Sequence, residues 1–142
     1  MQDIAFQFIL EELDGVRVIR IVFPPAILLS VMAETYARYM ALWESEVPTV
    51  VLADISRLER LEQDALEAIG VLLRRVGIMP AFIGSAWVCG DNRTLVEQIG
   101  SLMREAGRDA RAAVEGEAEG VAFLRGRIAR WRDRLADAER TG

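Results

Sequence analysis

Val50–Gly70, VVLADISRLERLEQDALEAIG, passes from an oily run into a charged loop and then into a helical pattern. Together with Pro48 and Thr49 the run reads PTVVLADI, which is short, continuous and β-branched, as a strand covered on both faces of a parallel sheet must be. The helix that follows carries Leu61, Leu66, Ile69, Leu72, Leu73 and Val76 along its apolar side. A buried strand feeding an amphipathic helix is the repeating unit of layered α/β domains.

On the N-terminal side, FQFILEELDGVRVIRIVF (Phe6–Phe23) places two β-rich runs around Asp14-Gly15, a pair suited to a tight hairpin turn. Pro24-Pro25 ends the second arm, because proline cannot donate to a strand ladder. From Ala26 to about Ser45, Ile27, Leu28, Val31, Met32, Tyr39, Met40 and Trp43 recur at helical intervals, with Glu34 and Arg38 on the other side. Tyr36 and Leu42 widen that apolar face beyond what packing on a sheet alone needs, which leaves two readings, a well-covered helix or a second contact such as a dimer interface.

On the C-terminal side, MPAFIGSAWVCG (Met79–Gly90) reads as a strand, and DNRTLVEQIGSLMREAG (Asp91–Gly107) as a helix capped by Asp91 or Asn92 and closed by Gly107. DARAAV (Asp109–Val114) is a short last strand, and EAEGVAFLRGRIARWRDRLADAER (Glu117–Arg140) a final helix. A hairpin followed by strict helix–strand alternation predicts one α/β domain with a mixed sheet of about five strands, covered by four helices. No linker or repeat breaks the 142 residues, a length that suits a single core.

Composition narrows the function classes. Hydrophobic residues make up 52% and charged residues 27%, a globular balance. Seventeen cations against twenty-two acids leave a net charge of −5, so the average surface repels nucleic acid and anionic lipid. There is no histidine, which removes the commonest general base near neutral pH and the commonest metal ligand. Cys89 is the single cysteine; an intramolecular disulfide is therefore impossible, and a reducing, cytoplasmic setting is the expectation. No apolar run reaches the roughly 18 residues of a spanning helix, and the opening MQDIAF lacks a signal-like pattern, so a soluble, unexported chain without membrane insertion is expected.

Three stretches carry candidate function. Asp54, Glu59, Glu62, Asp64 and Glu67 gather at and beyond the end of the central strand, where acid–base work or a hard cation would use oxygen ligands. Glu62, Asp64 and Glu67 open a helix that Arg74 and Arg75 close, however, and this arrangement complements a helix dipole and favours capping over catalysis. In VCGDNRTL (Val88–Leu95), free backbone N–H groups and Arg93 would suit an anion, but Asp91 and Asn92 compete as ordinary caps. Val121, Leu124, Ile128, Trp131 and Leu135 form a 3-4-3-4 stripe among arginines, of which Ile128, Trp131 and Leu135 are candidates for a homodimer interface. The basic face around them would suit an acidic partner or a membrane surface, although such helices more often pack their stripe on their own sheet.

The segments TVVLADISRLERLEQDALEAIG, MPAFIGSAWVCGDNRTL and AAVEGEAEGVAFLRGR together resemble the STAS superfamily, the fold of bacterial anti-sigma-factor antagonists, and in particular its SpoIIAA-like branch. The resemblance covers about Asp14 to Arg127 and leaves 128–142 as a C-terminal helical extension. It implies a non-enzymatic regulatory domain without cofactor or metal, whose protein partner is an anti-sigma factor or kinase-like regulator. In that family the helix after the central strand starts with Asp-Ser-Ser-Gly, where a serine is phosphorylated. The matching positions here are Glu62, Gln63, Asp64 and Ala65, so both hydroxyls and the glycine are missing, and Asp64 imitates only part of the charge of a phosphoserine. Asp54, Ser56, Glu62, Asp64, Asp91 and Asn92 are therefore the candidate partner-binding residues. The alternative from another functional class is a carrier of a small hydrophobic ligand or lipid, held between the helices and the sheet.

Overall fold

Asp14 and Gly15 adopt φ of 51° and 80°, the left-handed pair that a two-residue hairpin turn requires, and they join β1 (Gln7–Leu13) to β2 (Val16–Val22) in antiparallel register. This is a computed structural model, which describes residues 5–107 and 110–141. After β2 the chain alternates: α1 (Met32–Ala41), β3 (Thr49–Asp54), α2 (Gln63–Gly77), β4 (Phe82–Val88), α3 (Arg93–Ala106), β5 (Arg111–Val114) and α4 (Glu117–Thr141). The strands lie in the order β1-β2-β3-β4-β5, and the last three pairings are parallel. Asp109, the first residue expected in the last strand, lies outside the described residues.

Crossovers between parallel strands are right-handed, and here they always advance the same way across the sheet, so α1, α2 and α3 must lie on one face. The main core forms there, with Ile19, Ile21, Val51 and Trp87 of the strands packed on Tyr39, Ile69, Leu73, Leu95 and Ile99 of the helices. The opposite face has no crossover helix. It is covered by α4, whose Leu124 and Ile128 pack on Val16, Val18, Val50, Leu52 and Val88. As the sequence implies, β3 is buried on both sides.

Close approach of α4 depends on a missing side chain. A Cβ on Gly120 would stand 3.1 Å from Leu52 Cδ1 and 3.4 Å from Ala86 Cβ, whereas one on Gly126 would meet nothing within 4 Å. Arginines of α4 also hold the hairpin: Arg125 faces Asp14 Oδ2 at 3.5 Å, and Arg132 donates to the Asp14 carbonyl. Arg20, on the same face, is gripped by Glu11 of β1 and Glu117 of α4, which holds the Glu11 carboxyl below the usual carboxylate range.

Buried Arg111 was not anticipated. It donates to the Leu73 carbonyl near the end of α2 and to the Ala106 and Gly107 carbonyls at the end of α3, while its guanidinium lies 5.2 Å from the Phe82 ring centroid. Carbonyls near the C-termini of two helices thus share one cation.

The first helix differs from expectation. Ala26–Leu28 are not helical, Leu29–Val31 form a single 3₁₀ turn, and α1 itself spans only Met32–Ala41. The chain bends at Pro25 and Ala26 and is extended at Leu28, and no side chain caps either start, so the apolar periodicity overran the true N-terminus. Leu61, expected on α2, instead lies buried in the loop before it.

Two measurements test this packing. In urea unfolding, Gly120→Leu is expected to cost about 2 kcal/mol by forcing α4 off the sheet, while Gly126→Ala on the same helix is expected to gain about 1 kcal/mol by removing a helix glycine. Cys89 is fully buried at the end of β4, and burial, with the Asp54 charge adding to it, pushes its thiol up to about 11. The thiol is therefore expected to resist an aromatic disulfide reagent at pH 8 in the native protein and to react freely in guanidinium; rapid native labelling would contradict the closed strand end.

Candidate functional site

The carboxyl ends of β2, β3 and β4 come together at one edge of the sheet. Asp54 closes β3, and its Oδ1 accepts both the Ser56 N–H (2.9 Å) and the Ser56 hydroxyl (2.6 Å), turning the chain sharply away from the strand. Gly90, at φ 68°, closes β4 beside it, and a Cβ there would stand 3.4 Å from Ser56 Cβ. Exposed Asp91 follows, and then Asn92, the N-cap of α3.

Asn92 has two tasks. Its Oδ1 accepts the Leu95 N–H at 3.2 Å, which caps the helix, and its Nδ2 donates to the Glu59 carbonyl at 2.6 Å and the Leu58 carbonyl at 3.4 Å. One turn further along α3, Gln98 makes a two-way bond with Leu61: the Leu61 N–H donates to Oε1 and Nε2 donates to the Leu61 carbonyl, both at 2.8 Å. With Ile55, Leu58 and Leu61 buried beneath it, the charged loop is pinned at several points. Sequence reading missed Gln98, because a glutamine in the middle of an amphipathic helix has no local signature; only its meeting with Leu61 gives it a role.

The pinned loop presents Glu59, Arg60, Glu62 and Asp64 to solvent. Glu62 occupies the N-cap position of α2, yet its side chain makes no capping bond and instead accepts from Arg60 Nε at 3.0 Å. The capping expectation is thereby corrected in detail: Asp64 sits in the first turn and complements the helix end by charge alone. Between this loop and the segment after β2 lies an open groove of about 770 Å³, walled by Pro25, Ile27, Leu29, Arg57, Arg60, Glu62 and Asp64. The structure therefore joins Asp54, Ser56, Asp91 and Asn92 at the strand ends, and places Glu62 and Asp64 on the adjoining groove. Among the described residues, no group of three or more Cys, Asp or Glu side chains is arranged to hold a metal ion.

The stripe on α4 divides. Ile128 is 1% exposed and packed in the domain's own core, so its assignment to a dimer interface is corrected; Trp131 is half-buried beside that core, and Leu135, beyond it, is 46% exposed. The basic face is likewise partly engaged within the domain, through Arg125 and Arg132 at the hairpin turn.

A second concavity lies across the main core from α4. Tyr39 and Trp43 anchor the C-terminal end of α1, with Tyr39 stacked on Phe8 at 6.1 Å and Trp43 set 6.3 Å from Phe82. The N-terminal half of α1 has no buried residue, and between it, α2 and the β1–β2 hairpin is a cavity of about 410 Å³. Phe6, Ile21, Phe23 and Ile69 form its buried wall, with Phe8, Met32 and Leu72 nearer the opening. The surplus width of the apolar face of α1 lines this space, with Tyr36 among its wall residues.

No protein-family model matches the sequence, and none of the curated proteins does. Among solved structures, the crystal structure of an anti-sigma factor antagonist from Mycobacterium paratuberculosis superposes with a TM-score of 0.55, covering 85% of this chain and 95% of that one at 16% sequence identity. No helix among the described residues is long and apolar enough to cross a membrane. The chain thus shares its α/β fold with that anti-sigma factor antagonist structure.

Proposed function

We propose that this chain is a non-enzymatic regulatory domain that docks a protein partner, of the anti-sigma-factor or kinase-like kind, through the loop Asp54–Asp64 and the neighbouring start of α3. The carrying observation is the loop itself. Asn92 and Gln98 tie it down through backbone bonds, yet its charged side chains point outward around a groove of about 770 Å³. A surface ordered in advance loses little entropy on binding, and fixed charges at its rim select the partner. The fold shared with an anti-sigma factor antagonist supports the same reading.

A phosphorylation switch at the start of α2 is not part of this proposal. Positions 62–65 carry no hydroxyl, and the Ser56 hydroxyl is engaged with Asp54. Asp64 puts an acidic side chain in the first turn of α2 without any modification. Catalysis is a poor fit, since the chain has no histidine and its one thiol is buried and protonated.

The apolar cavity favours a second reading, a carrier of a small hydrophobic ligand. Its volume of about 410 Å³ falls within the roughly 300–1,000 Å³ of small-molecule sites.

Titration calorimetry against anti-sigma factors and kinase-like regulators of the source organism tests the first reading. Glu62→Arg with Asp64→Arg is expected to weaken the cognate complex at least tenfold, about 1.4 kcal/mol, while the fold is kept and the melting temperature falls by no more than about 5 °C, the cost of placing two cations at the start of α2. Equal affinity in the charge-reversed chain would remove the loop from the interface. Asn92→Ala is expected to cost about 1–2 kcal/mol of stability through the lost cap and loop bonds. For the second reading, native mass spectrometry of untreated protein is expected to show a retained apolar molecule that disappears in Ala68→Trp, a substitution in the cavity wall.

A further inference from the structure

We propose that the cavity between α1, α2 and the hairpin holds the alkyl tail of a single-chain carboxylate, with its head group bound by Arg75 and Tyr36. This deepens the ligand-carrier reading and rests on it. The wall is apolar almost throughout, but it is not uniform in charge. Among the described residues, Arg75 of α2 is the one charged residue that lines it, and no acid does. Arg75 Nη1 donates to the Tyr36 hydroxyl of α1 at 3.0 Å, with the guanidinium 5.8 Å from that ring's centroid. Both side chains belong to the more exposed part of the wall, whereas Phe6, Ile21, Phe23 and Ile69 are buried.

The charge of Arg75 lacks compensation. In a chain with 22 acidic residues, no carboxylate pairs with it among the described residues, and its partner is a neutral hydroxyl. A guanidinium carries five N–H donors in a planar fork suited to two carboxylate oxygens, and one bond to tyrosine leaves most of them available. The Tyr36 hydroxyl accepts from Arg75 and so keeps its own proton to donate. A carboxylate would take up both. A cationic head group would be repelled, and a neutral alcohol would gain the apolar seat without the charge-assisted bonds. A cavity of about 410 Å³, near the lower end for small-molecule sites, suits one chain better than two.

Calorimetry of the full-length, solvent-extracted protein with octanoate, decanoate, decanol and decyltrimethylammonium, each below its micellar concentration, tests the assignment. Decanoate is expected to bind at least tenfold more tightly than decanol, the ammonium compound more weakly than either, and each added methylene is expected to tighten binding about fourfold. Arg75→Met, which keeps an apolar stem at an exposed position, is expected to weaken decanoate at least tenfold and to leave decanol within twofold. Equal affinities for decanoate and decanol, or decanoate binding unchanged in Arg75→Met, would overturn the head-group assignment while the cavity stood as a ligand site. Absence of binding by every amphiphile, or binding that survives unaltered in a folded Ala68→Trp, would overturn the cavity reading as well.

Discussion

The handedness of strand connections governs this molecule. Once β2, β3, β4 and β5 are laid parallel and side by side in chain order, right-handed crossovers leave α1, α2 and α3 only one face of the sheet to occupy. The other face would expose Val16, Val18, Val50 and Leu52 to water. Only α4, which follows the last strand and is not a crossover, is free to cover it. The length of α4, its small Gly120 at the closest approach, and its arginines on the hairpin all serve that single requirement.

The same constraint shapes the candidate surfaces. Where strand order reverses in an open α/β sheet, adjacent loops part and leave a crevice at the carboxyl edge. Strand order here never reverses, so the edge at Asp54 and Gly90 closes over itself through Ser56, Asn92 and Gln98. The groove beside it lies against the irregular segment that begins at Pro25. Held by Tyr39 and Trp43 at one end, α1 has no buried residue in its N-terminal half, and the apolar cavity lies between that half, α2 and the hairpin.

Buried charge is treated differently at the two ends of the sheet. Away from Asp54, Arg111 is held by carbonyls near the ends of two helices, and burial lowers its affinity for the proton. This is helix-terminal chemistry by way of a single tertiary residue: Gly77 must be small because a Cβ there would fall 2.4 Å from the guanidinium.

Local periodicity and punctuation determined most of the fold by themselves. The Asp14-Gly15 turn, the doubly buried β3, the Asn92 cap and the Gly107 stop are short-range features, settled by φ preferences and by the alternation of apolar residues. The sequence also placed Asp54, Ser56, Asp91 and Asn92 at strand ends, because a strand must end where its apolar run does. What it could not determine were features made by residues distant in the chain. Gln98 meets Leu61 across 37 positions, Arg111 reaches Leu73 across 38, and Arg75 meets Tyr36 across 39. Ile128 looked like one step of an unbroken stripe, and only the width of the sheet beneath α4 decided that it would be buried and Leu135 left in solvent. The cavity was equally invisible, because empty space is the difference between two packed surfaces and has no residue pattern of its own.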